Sequence, residues 1–107
     1  MTNRGARKMT FEKFTSSLSG TTPPDKIGGL LEALWLEKKG NWKSAHEIAQ
    51  SVENSDGAWV HAYLHRKEGD LSNASYWYSR AGKSMPSDSL DEEWEKLVRQ
   101  FIRNAKT

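Results

Sequence analysis

The chain contains no cysteine. That excludes disulfides, thiolate metal centres and a cysteine nucleophile. No segment approaches the roughly 18 apolar residues that a membrane-spanning helix needs. The basic opening MTNRGARKMTFEKF is not followed by the apolar core of about 7–15 residues that marks an export signal. A cytoplasmic protein without a membrane partner is therefore expected. Charge of one sign is also missing: 16 Lys and Arg face 14 Asp and Glu, a net charge of +2, which is no field for gathering nucleic acid. Arg4, Arg7 and Lys8 lack the interleaved aromatics of a base-stacking platform, so no nucleic-acid partner is expected. Prolines number only three, and no period-two alternation suggests a strand. Apolar residues are scarce at 36%, yet five of them are Trp, so a few large aromatics must supply much of the burial.

A chain of 107 residues fits one domain. Residues 1–22 read as a basic, flexible arm and loop, within which Phe11, Phe14 and Leu18 have the spacing of a short turn that docks on the core. Residues 23–107 read as a single helical domain. Ile27, Leu30, Leu31, Leu34 and Trp35 follow the i, i+3, i+4, i+7, i+8 pattern of one helix face, with Thr22 or Asp25 as its cap. Gly40 ends this helix, and Trp42, Ala45, Ile48, Ala49 and Val52 mark a second. Asp56 is a candidate cap for a third helix, from about Gly57 to Glu68, which is apolar around most of its circumference and so expected to be central. Ser72 is a candidate cap for a fourth, whose apolar face is Leu71, Ala74, Trp77, Tyr78 and Ala81; Trp77 is expected to be buried. Ser89 and Glu92 form a capping box for a fifth, with the stripe Leu90, Trp94, Leu97, Val98, Phe101 and Ile102.

The segments KKGNWKSAHEIAQ and KEGDLSNASYWYS align at an offset of 29 residues. Gly40 pairs with Gly69, Asn41 with Asp70 and Ala45 with Ala74, so each unit is helix, glycine turn, helix. Repeated helix pairs that share a core make a short solenoid. The second unit resembles a tetratricopeptide repeat in Gly69-Asp70, Ala74, Tyr78, Ala81 and Pro86, with Ala62 at the small position where the two helices cross. His61 and His65 stand where that family has a Leu-like residue and Tyr. The first unit matches in Ala33, Gly40 and Ala45, and its offset is shorter than the family's 34 residues. The stretch GAWVHAYLHRKEGDLSNASYWYSRAG is also similar to a family of short bacterial proteins of unassigned function. The resemblance implies an all-α, TPR-like fold of about two antiparallel helix pairs plus a C-terminal capping helix. It further implies protein or peptide binding in a concave groove lined by the first helix of each pair. In the matched register Trp59, Tyr63 and Arg66 point into that groove, an aromatic pair beside a forked cation suited to a peptide or its terminal carboxylate. The alternative is that Trp59 and Tyr63 pack against the first unit.

The polar residues of the dense stretch need separate weighing. His61 and His65, at i and i+4, have the spacing of helical zinc ligands, and His46 is the third candidate; Glu47 and Glu68 are the other ligand types nearby. The competing structural reading has both imidazoles at the crossing of the third and fourth helices, bonded to Asn73 or Tyr78. That reading is preferred, and no cofactor is assigned. A small enzyme using His61 and His65, metal-dependent or acting as acid and base beside Glu68, is the alternative function. Arg66 and Arg80 offer anion-holding forks. The sequence "AGKS" is no phosphate loop, because Trp77 stands where that loop requires glycine. The leading expectation is a binding or scaffold module for a protein, peptide or small anionic ligand. Its site gathers His61, His65, Asn73, Tyr76 and Arg80 at the helix crossing, with Trp59, Tyr63 and Arg66 in the groove.

Overall fold

The structure, a computed structural model, describes residues 8–105. It is all-α: among the described residues there are six α-helices, one short 3-10 turn and no strand. These are α1 (Phe11–Ser16), the 3-10 turn (Ser17–Ser19), α2 (Gly29–Lys38), α3 (Trp42–Ser51), α4 (Ser55–Lys67), α5 (Leu71–Arg80) and α6 (Leu90–Asn104). No helix is long and apolar enough to cross a membrane.

The aligned units fold into two hairpins, α2–α3 and α4–α5, and the turns are built alike. Gly40 and Gly69 adopt φ of 93° and 89°, in the left-handed region where a Cβ is strained. Each closes the same pair of bonds onto the helix before it: Gly40 N–H to Glu37 and Asn41 N–H to Leu36, then Gly69 N–H to Arg66 and Asp70 N–H to His65. Those 5→2 and 6→1 bonds are the Schellman arrangement. The next residue then caps the following helix: Asn41 accepts from Ser44 N–H and Asp70 from Asn73 N–H, both at 3.3 Å. Ala45 and Ala74 are fully buried at equivalent places, where a small side chain lets the helices of a hairpin approach.

Several caps differ from the sequence expectation. The cap of α5 is Asp70, not Ser72, and the cap of α4 is Asn54, which accepts from Gly57 N–H at 2.9 Å, not Asp56. For α2 neither Thr22 nor Asp25 caps. Positive φ at Lys26 (61°) and Gly28 (96°) turns the chain first, so the helix begins at Gly29 and Ile27 packs from outside it. The capping box of Ser89 and Glu92 forms as expected.

The last helix, α6, packs against α2 and α4, the first helix of each hairpin. Leu97 and Val98 from α6, Leu34 and Trp35 from α2, and Val60 and Leu64 from α4 share one core. Trp94 Nε1 donates to the carbonyl of Leu34 at 3.1 Å, pinning α6 onto α2. The short turn expected at Phe11, Phe14 and Leu18 does dock on the core: Phe14 in α1 is fully buried and its ring lies 5.9 Å from that of Trp94. The basic residues Arg4 and Arg7 lie outside the described residues.

Candidate functional site

With α6 seated on one side of the hairpins, the other side holds the site. There α3, α4 and α5 meet. His61 and His65, one turn apart on α4, both face α3 and are buried, at 4% and 7% exposure. From α3, His46 reaches across, and its Nε2 lies 2.9 Å from His61 Nε2, a distance that requires one ring to donate and the other to accept. Ring centroids separate His46 from His65 by 5.2 Å and His61 from His65 by 4.9 Å. Aromatic walls fix the rings: Trp42 stacks on His46 at 4.8 Å and Trp77 on His61 at 3.9 Å. Trp42 is itself tied to α4, its Nε1 donating to the Leu64 carbonyl at 2.8 Å.

The electrostatics follow from this packing. Burial, and then the neighbouring His46 and His65, depress the pKa of His61 to about 4. Burial followed by His65 lowers that of His46, with Glu68 and Glu47 opposing. At neutral pH both rings are therefore neutral, and each carries one nitrogen lone pair. His65 Nδ1 is buried without a hydrogen bond, and the nearest carboxylate oxygen, Glu68 Oε2, is 3.7 Å away. One nitrogen from each of His46, His61 and His65 can be chosen so that all three lie within 4.8 Å of one another. This is the set able to hold a metal ion. A second grouping, His65 with Glu68 and Asp70, lies towards the turn.

Next to the histidines a cleft of about 620 Å³ opens between α3, α4 and α5. His61, Trp77 and Arg80 line it together with Glu53, and the small residues Ala49, Gly57 and Ala58 leave it room. Gly57 is required there, since a Cβ on it would stand 1.9 Å from the Val52 carbonyl oxygen. Arg80 meets no carboxylate among the described residues; its guanidinium donates to Tyr76 Oη at 2.9 Å and lies over the Trp77 ring.

The structure divides the expected site residues into two sets. His61, His65 and Arg80 stay on the cleft side and are joined by His46 and Trp77, while Tyr76 is exposed and braces Arg80. Asn73 is not at the crossing; its side chain bonds Asp70 beside the turn, 3.2 Å away. The expected bond from Asn73 or Tyr78 to a histidine does not form, since Tyr78 Oη donates to Glu93 instead. Trp59, Tyr63 and Arg66, expected in an open groove, are instead committed to contacts inside the fold. Tyr63 is fully buried and donates to Glu37 at 3.2 Å, and Trp59 and Arg66 both donate to Glu93. Trp77, expected to be core, is half-buried on the wall of the cleft.

Sequence reasoning missed Glu37 and Glu93, which are buried to 3% and 2% exposure. The signal was available for Glu93: it precedes Trp94 and lies four residues before Leu97, inside the apolar stripe of α6. A carboxylate there needs a buried partner, and Arg66 at 2.7 Å supplies it. Glu37 pairs likewise with Lys67 at 2.5 Å.

No protein-family model matches the chain, and no match was found among curated proteins or solved structures.

Proposed function

We propose that the protein is a small binding module of TPR-like form whose cleft between α3, α4 and α5 takes up a peptide segment of a protein partner. A carboxylate of that segment is held by Arg80, and an apolar side chain lies on Trp77. The observation that carries this reading is an uncommitted guanidinium on a roomy cleft. Arg80 lines about 620 Å³ of open space and has a single neutral acceptor, Tyr76. Forked donors of this kind match a carboxylate, and the Trp77 and Tyr76 rings beside it restrict how the side chain can move. The repeat geometry of the two hairpins supports the TPR-like part of the reading. The binding face is nonetheless the one opposite to the groove such repeats use, because α6 fills that groove.

The test is an NMR titration of ¹⁵N-labelled protein with a short peptide ending in a leucine carboxylate and, separately, with its C-terminal amide. Shifts are expected at the Trp77 indole and around His61 and Arg80. Arg80→Ala is expected to weaken the carboxylate peptide about tenfold or more, since a hydrogen bond to a charged group contributes about 1.5–3 kcal/mol. Equal binding of acid and amide, or shifts confined to other surfaces, refutes the reading.

A further inference from the structure

The chain has only three histidines, and helix packing brings all of them to one place although His46 belongs to α3 and the others to α4. Three imidazoles alone make a poorly satisfied cluster. The single contact between His46 Nε2 and His61 Nε2 uses one donor and one acceptor, while His65 Nδ1, on a ring 7% exposed, is buried without any partner. Unpaired buried polar atoms are costly and rare. A core built for stability alone would place aliphatic groups here.

We propose that His46, His61 and His65 form a three-imidazole site for a divalent transition-metal ion of the Zn²⁺ class. The donor set suits such ions: neutral imidazole is a borderline ligand preferred by zinc, copper, iron and nickel over calcium or magnesium. The geometry is close to what is needed. Metal–nitrogen bonds of about 2.0–2.1 Å in a tetrahedron put ligand nitrogens about 3.3 Å apart. The His46–His61 Nε2 separation of 2.9 Å has only to open slightly, and one nitrogen from each of the three rings already lies within 4.8 Å of the others, so small ring rotations complete the set. The rings are already oriented by Trp42 and Trp77, which lowers the entropy lost on binding. Glu68 Oε2, 3.7 Å from His65 Nδ1, is placed to accept from that unpaired nitrogen once Nε2 turns to the ion, the role that carboxylates commonly take beside ligating histidines. Three protein ligands leave a fourth position for water or an exogenous donor. His61 borders the cleft, so that position has a path to solvent. The site stands independently of the peptide reading, since it uses neither Arg80 nor a peptide.

The experiment uses the full chain without a histidine tag, stripped by EDTA and dialysed at pH 7.5. Isothermal titration with Zn²⁺ alone is expected to show one ion per chain, with a rise in melting temperature on saturation. Co²⁺ is expected to give the intense visible absorption of a tetrahedral site. Glu68→Gln is expected to weaken Zn²⁺ binding about 10- to 100-fold, and loss of a ligand in His46→Gln by more than that. His46 is half-buried where His61 and His65 are buried, so His46→Gln is expected to fold even where His61→Gln does not, and an unchanged circular dichroism spectrum verifies this. Arg80→Ala is expected to leave the metal affinity unchanged, which separates the failure of this proposal from that of the peptide reading. The absence of one-to-one binding, or a folded His46→Gln variant that binds Zn²⁺ as the parent does, overturns it.

Discussion

Removing the Glu93 carboxylate tests the packing that seats α6 on α2 and α4. Glu93 is 2% exposed. Its oxygens accept from Tyr78 Oη at 2.6 and 2.8 Å, from Arg66 at 2.7 Å and from Trp59 Nε1 at 3.2 Å. Glu93→Ala leaves Arg66, whose side chain is 15% exposed, without a counter-charge, and leaves two further donors without an acceptor. Breaking a buried ion pair from one side costs about 3–5 kcal/mol, a large share of the roughly 5–15 kcal/mol that holds a small domain together. Glu93→Gln keeps the volume and one acceptor but loses the charge, so the loss falls to about 1.5–3 kcal/mol, the worth of a charged hydrogen bond. Replacing both partners, Arg66→Met with Glu93→Leu, is expected to cost less than Glu93→Ala alone, since no bare charge remains. Urea unfolding followed by tryptophan fluorescence and circular dichroism measures all three. With a slope of about 1–3 kcal/mol per molar urea, the midpoint of Glu93→Ala is expected to fall by about 2 M. A loss below about 1 kcal/mol, or a Gln variant less stable than the Ala variant, refutes this account of what α6 does.

Trp77→Ala is expected to cost only about 1–2 kcal/mol, well under the usual 3–5 for a fully buried aromatic, because Trp77 is a half-buried cleft wall; thermal unfolding measures it, and a loss of 4 kcal/mol returns Trp77 to the core. Gly57→Ala is expected to destabilise by about 2–3 kcal/mol through overpacking, since the new Cβ meets the Val52 carbonyl at 1.9 Å; a wild-type urea midpoint contradicts it. For metal-free protein kept in chelator, stability is expected to be level above pH 6.5 and to decline as pH drops towards 4, the depressed value of His61. The unfolded chain binds that proton more readily across the window. The loss is at most about 3 kcal/mol for His61, with His46 acting in the same direction. Urea melts between pH 4 and 8 decide, and stability that rises on acidification from 6.5 to 5 refutes the assignment of neutral buried rings.

What was legible in the sequence is what local chemistry determines. Gly40 and Gly69 announce their turns because the left-handed residue of a Schellman motif strongly prefers glycine. The stripe on α6 announces a buried face. The caps of α4 and α5 were misplaced by two residues, because Asn54 and Asp56, or Asp70 and Ser72, are equally able side chains and only backbone geometry chooses between them. A stripe also says that a face is buried without saying against what. That α6 lies on α2 and α4 depends on Trp94 reaching the Leu34 carbonyl and on Arg66 meeting Glu93, contacts spanning 60 and 27 residues. The convergence of His46 with His61 and His65 is non-local in the same way, since it depends on how α3 crosses α4. These placements are linked. Because α6 packs on α2 and α4, Trp59, Tyr63 and Arg66 are committed to packing. The polar residues left over by the core, His46, His61, His65 and Arg80, come together on the opposite face. A carboxylate buried in a helix stripe and a trio of histidines scattered over two helices are thus two results of one packing arrangement, and the Glu93 variants bear on the cleft as well as on stability. Loosening α6 exposes the apolar residues of α2 and α4 that it covers, so a Glu93→Ala chain that stays folded should bind 8-anilinonaphthalene-1-sulfonate more strongly than the parent. Unchanged dye binding by a folded Glu93→Ala chain would mean that α6 stays seated without the ion pair, held by the Leu97, Val98 and Trp94 contacts alone.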